Sequence, residues 1–193
     1  DCASNAYFEW RKISKPKRAE YFESLCSVMR SQQDSIVDTI SYETGKSKNE
    51  SLAEFNEALH MAQFVFGHGR LPSGQMLPSE IADKDAYKIR KPKGVIGVIS
   101  AWNFPFAIGG FWWAAPALLE GNTVVFKPSE DTPLTGELIA HLYHDAGFPA
   151  GVFNLIHGNG PTGAELVGEE VDHICFTGSA EAGMSIRKHC AGT

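Results

Sequence analysis

Four short segments of this 193-residue chain carry side chains with chemistry to offer. They are Trp102-Asn103-Phe104-Pro105, Lys127-Pro128-Ser129-Glu130, Gly158-Asn159-Gly160-Pro161-Thr162-Gly163 and Phe176-Thr177-Gly178-Ser179, the last followed by Gly183. Lys127 and Glu130 set an ammonium and a carboxylate three positions apart. Such a pair can hydrogen-bond the two hydroxyls of a ribose, although as an isolated feature it is also an ordinary surface ion pair. Gly178 lets the backbone approach a ligand closely, and Ser179 with the amides after it opens a helix whose positive N-terminal end suits a phosphate. Gly158 to Gly163 has the spacing G-x-G-x-x-G after an apolar run and before a helical one. The proline inside it, and the lack of an acidic residue at the end of the next run, argue against an ordinary dinucleotide fingerprint. Asn103, on its own, reads as a loop asparagine that satisfies nearby backbone groups.

These segments need elements to position them. From Lys15 to about Glu43 apolar residues recur every three or four positions, predicting two amphipathic helices broken near residues 31–34. Gly45 is a plausible stop, and Ser47 with Glu50 has the form of a capping box opening a third helix that ends near residues 67–69. Residues 71–86, rich in Pro, Gly, Ser and charge, predict an irregular connection. From Ala86 onward short apolar runs (87–90, 95–100, 123–127, 152–156, 173–176) alternate with helical patterns (about 106–119, 133–146, 161–167 and from Ser179). That alternation predicts βαβ units, a doubly wound and mostly parallel sheet, and ligands beyond the carboxyl ends of its strands. All four segments fall at that edge.

Composition narrows the function. Seventeen basic against 23 acidic side chains give a net charge of −6, the wrong sign for broad binding of nucleic acid or anionic membranes. The 26 residues from Gly94 to Leu119 lack Asp, Glu, Lys, Arg and His and could by length span a bilayer. Asn103 and Pro105 in the middle of that run favour instead a buried strand, a tight loop and a buried helix. The four cysteines, Cys2, Cys26, Cys175 and Cys190, form no Cys-x-x-Cys pair, so no metal site is expected and reduced thiols in a cytoplasmic or matrix-like compartment are. Cys175, inside an apolar run, reads as a packed thiol before it reads as a nucleophile. Without an initiator Met or a signal pattern, the chain has the look of an interior fragment.

In this order, the four segments resemble the coenzyme domain of the aldehyde dehydrogenase superfamily from Lys91 to Gly183, and the lead-in with Glu43-Thr44-Gly45-Lys46 is similar to that family's N-terminal region. The resemblance implies an α/β fold: a helical lead-in over 1–70, the connection over 71–86, and a Rossmann-like, doubly wound part over 87–193 with catalytic and oligomerisation domains absent. It implies that Ile99, Ser100, Ala101 and Trp102 line the nicotinamide side of the cofactor groove. Lys127, Ser129 and Glu130 would hold the adenosine ribose, and Gly160 and Pro161 would border the adenine. Phe176, Thr177, Gly178 and Ser179 would approach the pyrophosphate, with Gly183 one turn on. Ala182 departs from the larger aliphatic residue usual beside the adenine. Glu130 would repel a 2′-phosphate, so NAD is favoured over NADP. Asn103 would donate its amide to the aldehyde oxygen as it becomes an oxyanion.

The family's reaction uses a cysteine thiolate on the aldehyde and a glutamate that activates water against the thioester; both are expected downstream of Thr193, so the 193 residues alone are expected to be inactive. The expected partners are a small aldehyde and, for the full-length enzyme, further copies of itself as a homodimer or homotetramer. A non-catalytic dinucleotide-binding module and a coenzyme A-acylating enzyme stand as alternatives. Residues 71–80 are loosely similar to members acting on amino-acid-derived semialdehydes, and the aromatic residues around 104–113 leave an apolar or aromatic aldehyde open.

Overall fold

A computed structural model describes residues 1–169 and 171–192; Thr193, the last residue of the expected coenzyme part, lies outside them. Four helices come first: α1 (Cys2–Trp10), α2 (Lys15–Ser31), α3 (Gln33–Thr44) and α4 (Lys48–His68). The chain break expected near residues 31–34 is a single residue, Gln32. Gly45 ends α3 at φ 72°, a left-handed conformation that glycine adopts without penalty. The capping box is formed in full: Ser47 Oγ accepts from the Glu50 amide, and the Glu50 carboxylate accepts from the Ser47 amide. Helix α1 was not legible in the sequence. It is too short to display a period, and it is held from outside, by Thr123 Oγ1 donating to the Ala3 carbonyl at 3.0 Å.

The stretch expected to be irregular contains a strand. Residues Gly74–Leu77 (β1) pair antiparallel with Ala86–Ile89 (β2) in an exposed two-stranded ribbon, so the run at 87–90 belongs outside the main sheet. Four-residue strands without a buried face carry no alternation to read.

The main sheet is parallel, with β3 (Val95–Ile99) and β4 (Thr123–Lys127) at its centre, β5 (Phe153–Leu155) beside β4 and β6 (His173–Phe176) beside β3. The order β5-β4-β3-β6 means that the chain winds outward from β3 in one direction and then returns to its other side. The crevice between the carboxyl ends of β3 and β6 is therefore the topological switch point, where open α/β sheets bind ligands. The α/β architecture and parallel sheet agree with the fold expected from sequence.

Alternation along the strands feeds two cores. Ile96, Val98, Val124 and Phe126 join the large core made with α2, α3, α4 and α6 (Pro133–Asp145). Ile99, with half-buried Val125, Ile174 and Phe176, packs on Leu166 and Val167 of α7 (Gly160–Gly168), and Ile186 of α8 (Ala180–Cys190) joins that second core. Between β3 and β4 the chain forms a wide π-helical turn, Ile108–Trp113, followed by the short α-helix α5 (Ala114–Leu119), where one regular helix was expected. The glycines there explain the fit. A Cβ on Gly109 would stand 2.3 Å from the Phe126 ring, and one on Gly110 would stand 2.9 Å from Ile139. Tyr143, fully buried in α6, donates its hydroxyl to the Gly110 carbonyl at 2.6 Å. Tyr143→Phe leaves that carbonyl without its donor, and denaturant titration is expected to show a loss of about 1–2 kcal/mol with an unchanged m-value.

No helix among the described residues is long and apolar enough to cross a membrane, and the uncharged run 94–119 is divided among β3, the loop, the π turn and α5. The Cys26 thiol lies in the large core, and burial raises its pKa from an ordinary 9.0 to about 11. With the folded pKa above the unfolded one, this contribution is complete below about pH 9 and is lost as pH rises through about 11. Burial raises Tyr143 as well. The expected result is therefore a fall in unfolding free energy with pH that is shallower, not absent, in Cys26→Ala, measured by denaturant titration across that window.

Candidate active site

At the switch point lies an open groove of about 740 Å³. Because side chains alternate along a strand, Ile99, Lys127 and Phe176 all emerge on the α7 face of the sheet, at the last residues of β3, β4 and β6, and all three line the groove. Ser100, Ala101, Trp102 and Asn103 continue the wall from β3; Ser129 and Glu130 continue it from β4. Thr177, Gly178 and Ser179 continue it from β6, and Gly160 contributes from the start of α7.

Two of the expected residues stand outside that lining. Pro161 is exposed on the first turn of α7. Gly183 backs the groove: a Cβ there would come within 3.3 Å of the Phe176 ring, so its smallness serves the packing of Phe176. Conversely, Ala182, Ser185, Ile186 and His189 line the groove along one stripe of α8, and Gly163, Ala164 and Val167 do so from α7. A helical count from Ser179, at steps of three and four, would have found the α8 stripe.

The ammonium of Lys127 is buried, with 4% of the side chain exposed, and donates to the carbonyls of Pro128 at 2.8 Å and Gly158 at 2.6 Å. One of its three protons remains available, on the side where Glu130 stands 3.7 Å away with about half its side chain exposed. Lys127 thus ties the second segment to the third and presents one donor beside one carboxylate. Ser179 caps α8, its Oγ accepting from the Ala182 amide at 3.2 Å, which points the helix N-terminus at the groove. Trp113 from the π turn donates to Thr177 Oγ1 at 3.0 Å, linking the wall after β3 to the wall after β6. The Ser100 hydroxyl is buried without a hydrogen-bond partner among the described residues.

Asn103 is exposed at the groove's edge, and none of the described residues hydrogen-bonds its side chain. Its amide is therefore not consumed by local backbone groups, the alternative that the sequence left open. Cys175 points to the opposite side of β6 from Ile174 and Phe176, against the large core. Burial raises its pKa, which keeps the thiol protonated and unreactive at neutral pH. Among the described residues no group of three or more His, Cys, Asp or Glu is placed to hold a metal ion.

A four-stranded parallel sheet with a capped helix N-terminus and a Lys–Glu pair along its carboxyl edge defines a Rossmann-like α/β unit. The profile of the aldehyde dehydrogenase family matches residues 1–193, and the chain belongs to that family. It is 38% identical over 186 residues to betaine aldehyde dehydrogenase of Bacillus subtilis (strain 168), and 37% identical over 188 residues to the alpha-ketoglutaric semialdehyde dehydrogenase of the same organism. Each alignment covers 95% of this chain and 38% of the relative, so the chain spans well under half the length of the curated relatives it matches. Among solved structures, betaine aldehyde dehydrogenase from Staphylococcus aureus in complex with NAD+ superposes with a TM-score of 0.93 at 32% identity, over 99% of this chain and 38% of that one. An NAD-dependent benzaldehyde dehydrogenase from Corynebacterium glutamicum superposes at 0.90 with 31% identity, over 98% and 42%.

Proposed function

We propose that this chain is the coenzyme-binding part of an NAD-dependent aldehyde dehydrogenase that oxidises an aldehyde to its carboxylate. One observation carries the reading: a single groove at the sheet's switch point gathers a ribose-suited Lys–Glu pair, a capped helix N-terminus and an uncommitted carboxamide. The donor set fits NAD. Lys127 and Glu130 hold the adenosine ribose, with Ser129 beside them, and the carboxylate disfavours a 2′-phosphate. The amides after Ser179 receive the pyrophosphate, Gly178 lets the backbone come close, and Gly160 with the α8 stripe borders the adenine. Ile99, Ser100, Ala101 and Trp102 flank the nicotinamide. When bound, NAD supplies a hydride acceptor.

Asn103 donates its amide to the substrate oxygen as charge accumulates there. Neither Cys175, which faces the core, nor Cys190, at the end of α8, stands in the groove lining, so neither is taken as the attacking thiolate in this reading. Exposed Met76, Leu77, Tyr87 and Ile89 on the β1–β2 ribbon offer an apolar surface for the self-association proposed for the whole enzyme, a homodimer or homotetramer. A panel of aliphatic, aromatic and semialdehyde substrates tests the substrate class.

Calorimetric titration of NAD into wild type and Glu130→Ala tests the ribose assignment. Loss of hydrogen bonds to a charged group is worth about 1.5–3 kcal/mol, so Kd is expected to rise roughly 10- to 100-fold. Equal affinities overturn the assignment. Aldehyde-dependent NADH formation by the 193 residues alone would overturn the placement of the nucleophile.

A further inference from the structure

Glu54 lies two turns into α4, among residues that build the large core, and its side chain has no exposure at all. A buried carboxylate is costly unless it is paired and hydrogen-bonded. Its partners come from two places. Lys46, just before α4, sets its ammonium 2.5 Å from Oε2. Oε1 accepts from the backbone amides of Phe106 at 2.8 Å and Ala107 at 3.1 Å. These two amides open the helical segment that follows Asn103, and belong to the set of N-terminal donors that a helix cannot satisfy internally. The Lys46 ammonium also sits 4.0 Å from the centre of the Phe104 ring.

One ion pair therefore grips the chain on both sides of Pro105: at the Phe104 ring before it and at the Phe106 and Ala107 amides after it. Asn103 is the next residue toward the N-terminus. Lys46 is itself fixed, its carbonyl accepting from Ser41 Oγ at 2.8 Å and its amide donating to Thr44 Oγ1 at 3.2 Å. Asn103 has no hydrogen bond of its own to any described residue, so its direction is set by the backbone on which it stands. A donor aimed at a developing charge acts only when it is held before the reaction begins.

We propose that Glu54, neutralised by Lys46, is a positioning residue that fixes the Asn103 loop for oxyanion stabilisation. The proposal rests on the reading of Asn103 given above. Glu54→Gln keeps one acceptor oxygen but removes the charge and turns an amide toward the Lys46 ammonium. Lys46→Gln removes the counter-charge from a position with more room.

The test is made in the full-length enzyme, with kcat normalised to active sites by the NADH burst. Glu54→Gln and Lys46→Gln are each expected to lower kcat by about 10-fold or more, while the Kd for NAD and the KM for aldehyde change less than about threefold. Combined with Asn103→Ala, Glu54→Gln is expected to lower kcat no further than about twofold, because it acts through the same amide. A purely structural residue would give effects that multiply, and multiplication overturns the proposal. So does a kcat within about twofold of wild type for Glu54→Gln, or for Lys46→Gln should the first variant fail to fold. If Asn103→Ala itself leaves kcat unchanged, the oxyanion reading fails and this proposal with it; if only the Glu54 and Lys46 variants are silent, the oxyanion reading stands alone.

Discussion

Asn103→Ala in the full-length enzyme is expected to lower kcat by about 100- to 1000-fold, the range for removal of one oxyanion donor. The Kd for NAD is expected to stay near wild type, because the residues proposed to hold the ribose and pyrophosphate follow other strands. The magnitude follows from the setting. The side chain is at the edge of the groove, on a loop anchored at one end by the Ser100 amide donating to the Lys127 carbonyl at 3.2 Å and at the other by Glu54. An amide held this way needs no reorganisation as charge develops. Steady-state kinetics with a fluorescence titration of NAD separates the two quantities. A proportionate rise in KM with unchanged kcat would mean that Asn103 binds aldehyde and transition state equally.

Trp10→Ala is expected to destabilise the fold by about 3–5 kcal/mol, the range for deleting a large buried aromatic. Trp10 is 1% exposed, lies 5.3 Å from the Tyr21 ring and 5.8 Å from Phe148 between centroids, and donates its indole N–H to the Leu118 carbonyl at 2.9 Å. It is the bolt between α1, α2 and the end of α5. Truncation leaves a cavity and removes one of the donors to the Leu118 carbonyl, which keeps the Gly121 amide at 3.0 Å. Trp10→Phe refills most of the volume but not the hydrogen bond, and is expected to cost about 1–3 kcal/mol. Urea titrations of the two variants divide the loss between packing and the bond. Equal losses would assign nearly all of it to the indole N–H.

Much of this molecule was legible in one dimension because its strong signals are local. The capping box at Ser47 and Glu50, the glycine stop at Gly45 and the three-and-four spacing through α2 to α4 each depend on residues within one or two turns of one another. The apolar runs that became β3 and β4 were visible because central parallel strands are buried on both faces. Placing the ligand edge beyond their carboxyl ends followed from βαβ connectivity alone. Boundaries moved by a residue or two, and the helix after Asn103 became a π turn because Gly109 and Gly110 let it settle against Phe126 and Ile139.

The sequence by itself determined the α/β class, the four segments at the carboxyl edge of the sheet and the family they resemble, since each is written in contiguous residues. Only the tertiary structure decided the helical state of residues 2–10, the β1–β2 ribbon, the inward stripe of α8 and the direction of the Cys175 thiol. It alone brought Glu43 of α3 to the amides of Leu134 and Thr135, and Glu54 of α4 to those of Phe106 and Ala107. In the sequence those glutamates are two charged positions on amphipathic helices, indistinguishable from solvent-facing ones. The amides they satisfy lie 91 and 92 residues away for Glu43, and 52 and 53 for Glu54. No local spacing encodes a contact of that range. It exists because the helical lead-in packs across the sheet and brings its carboxylates to the open N-terminal ends of the helices beyond β3 and β4.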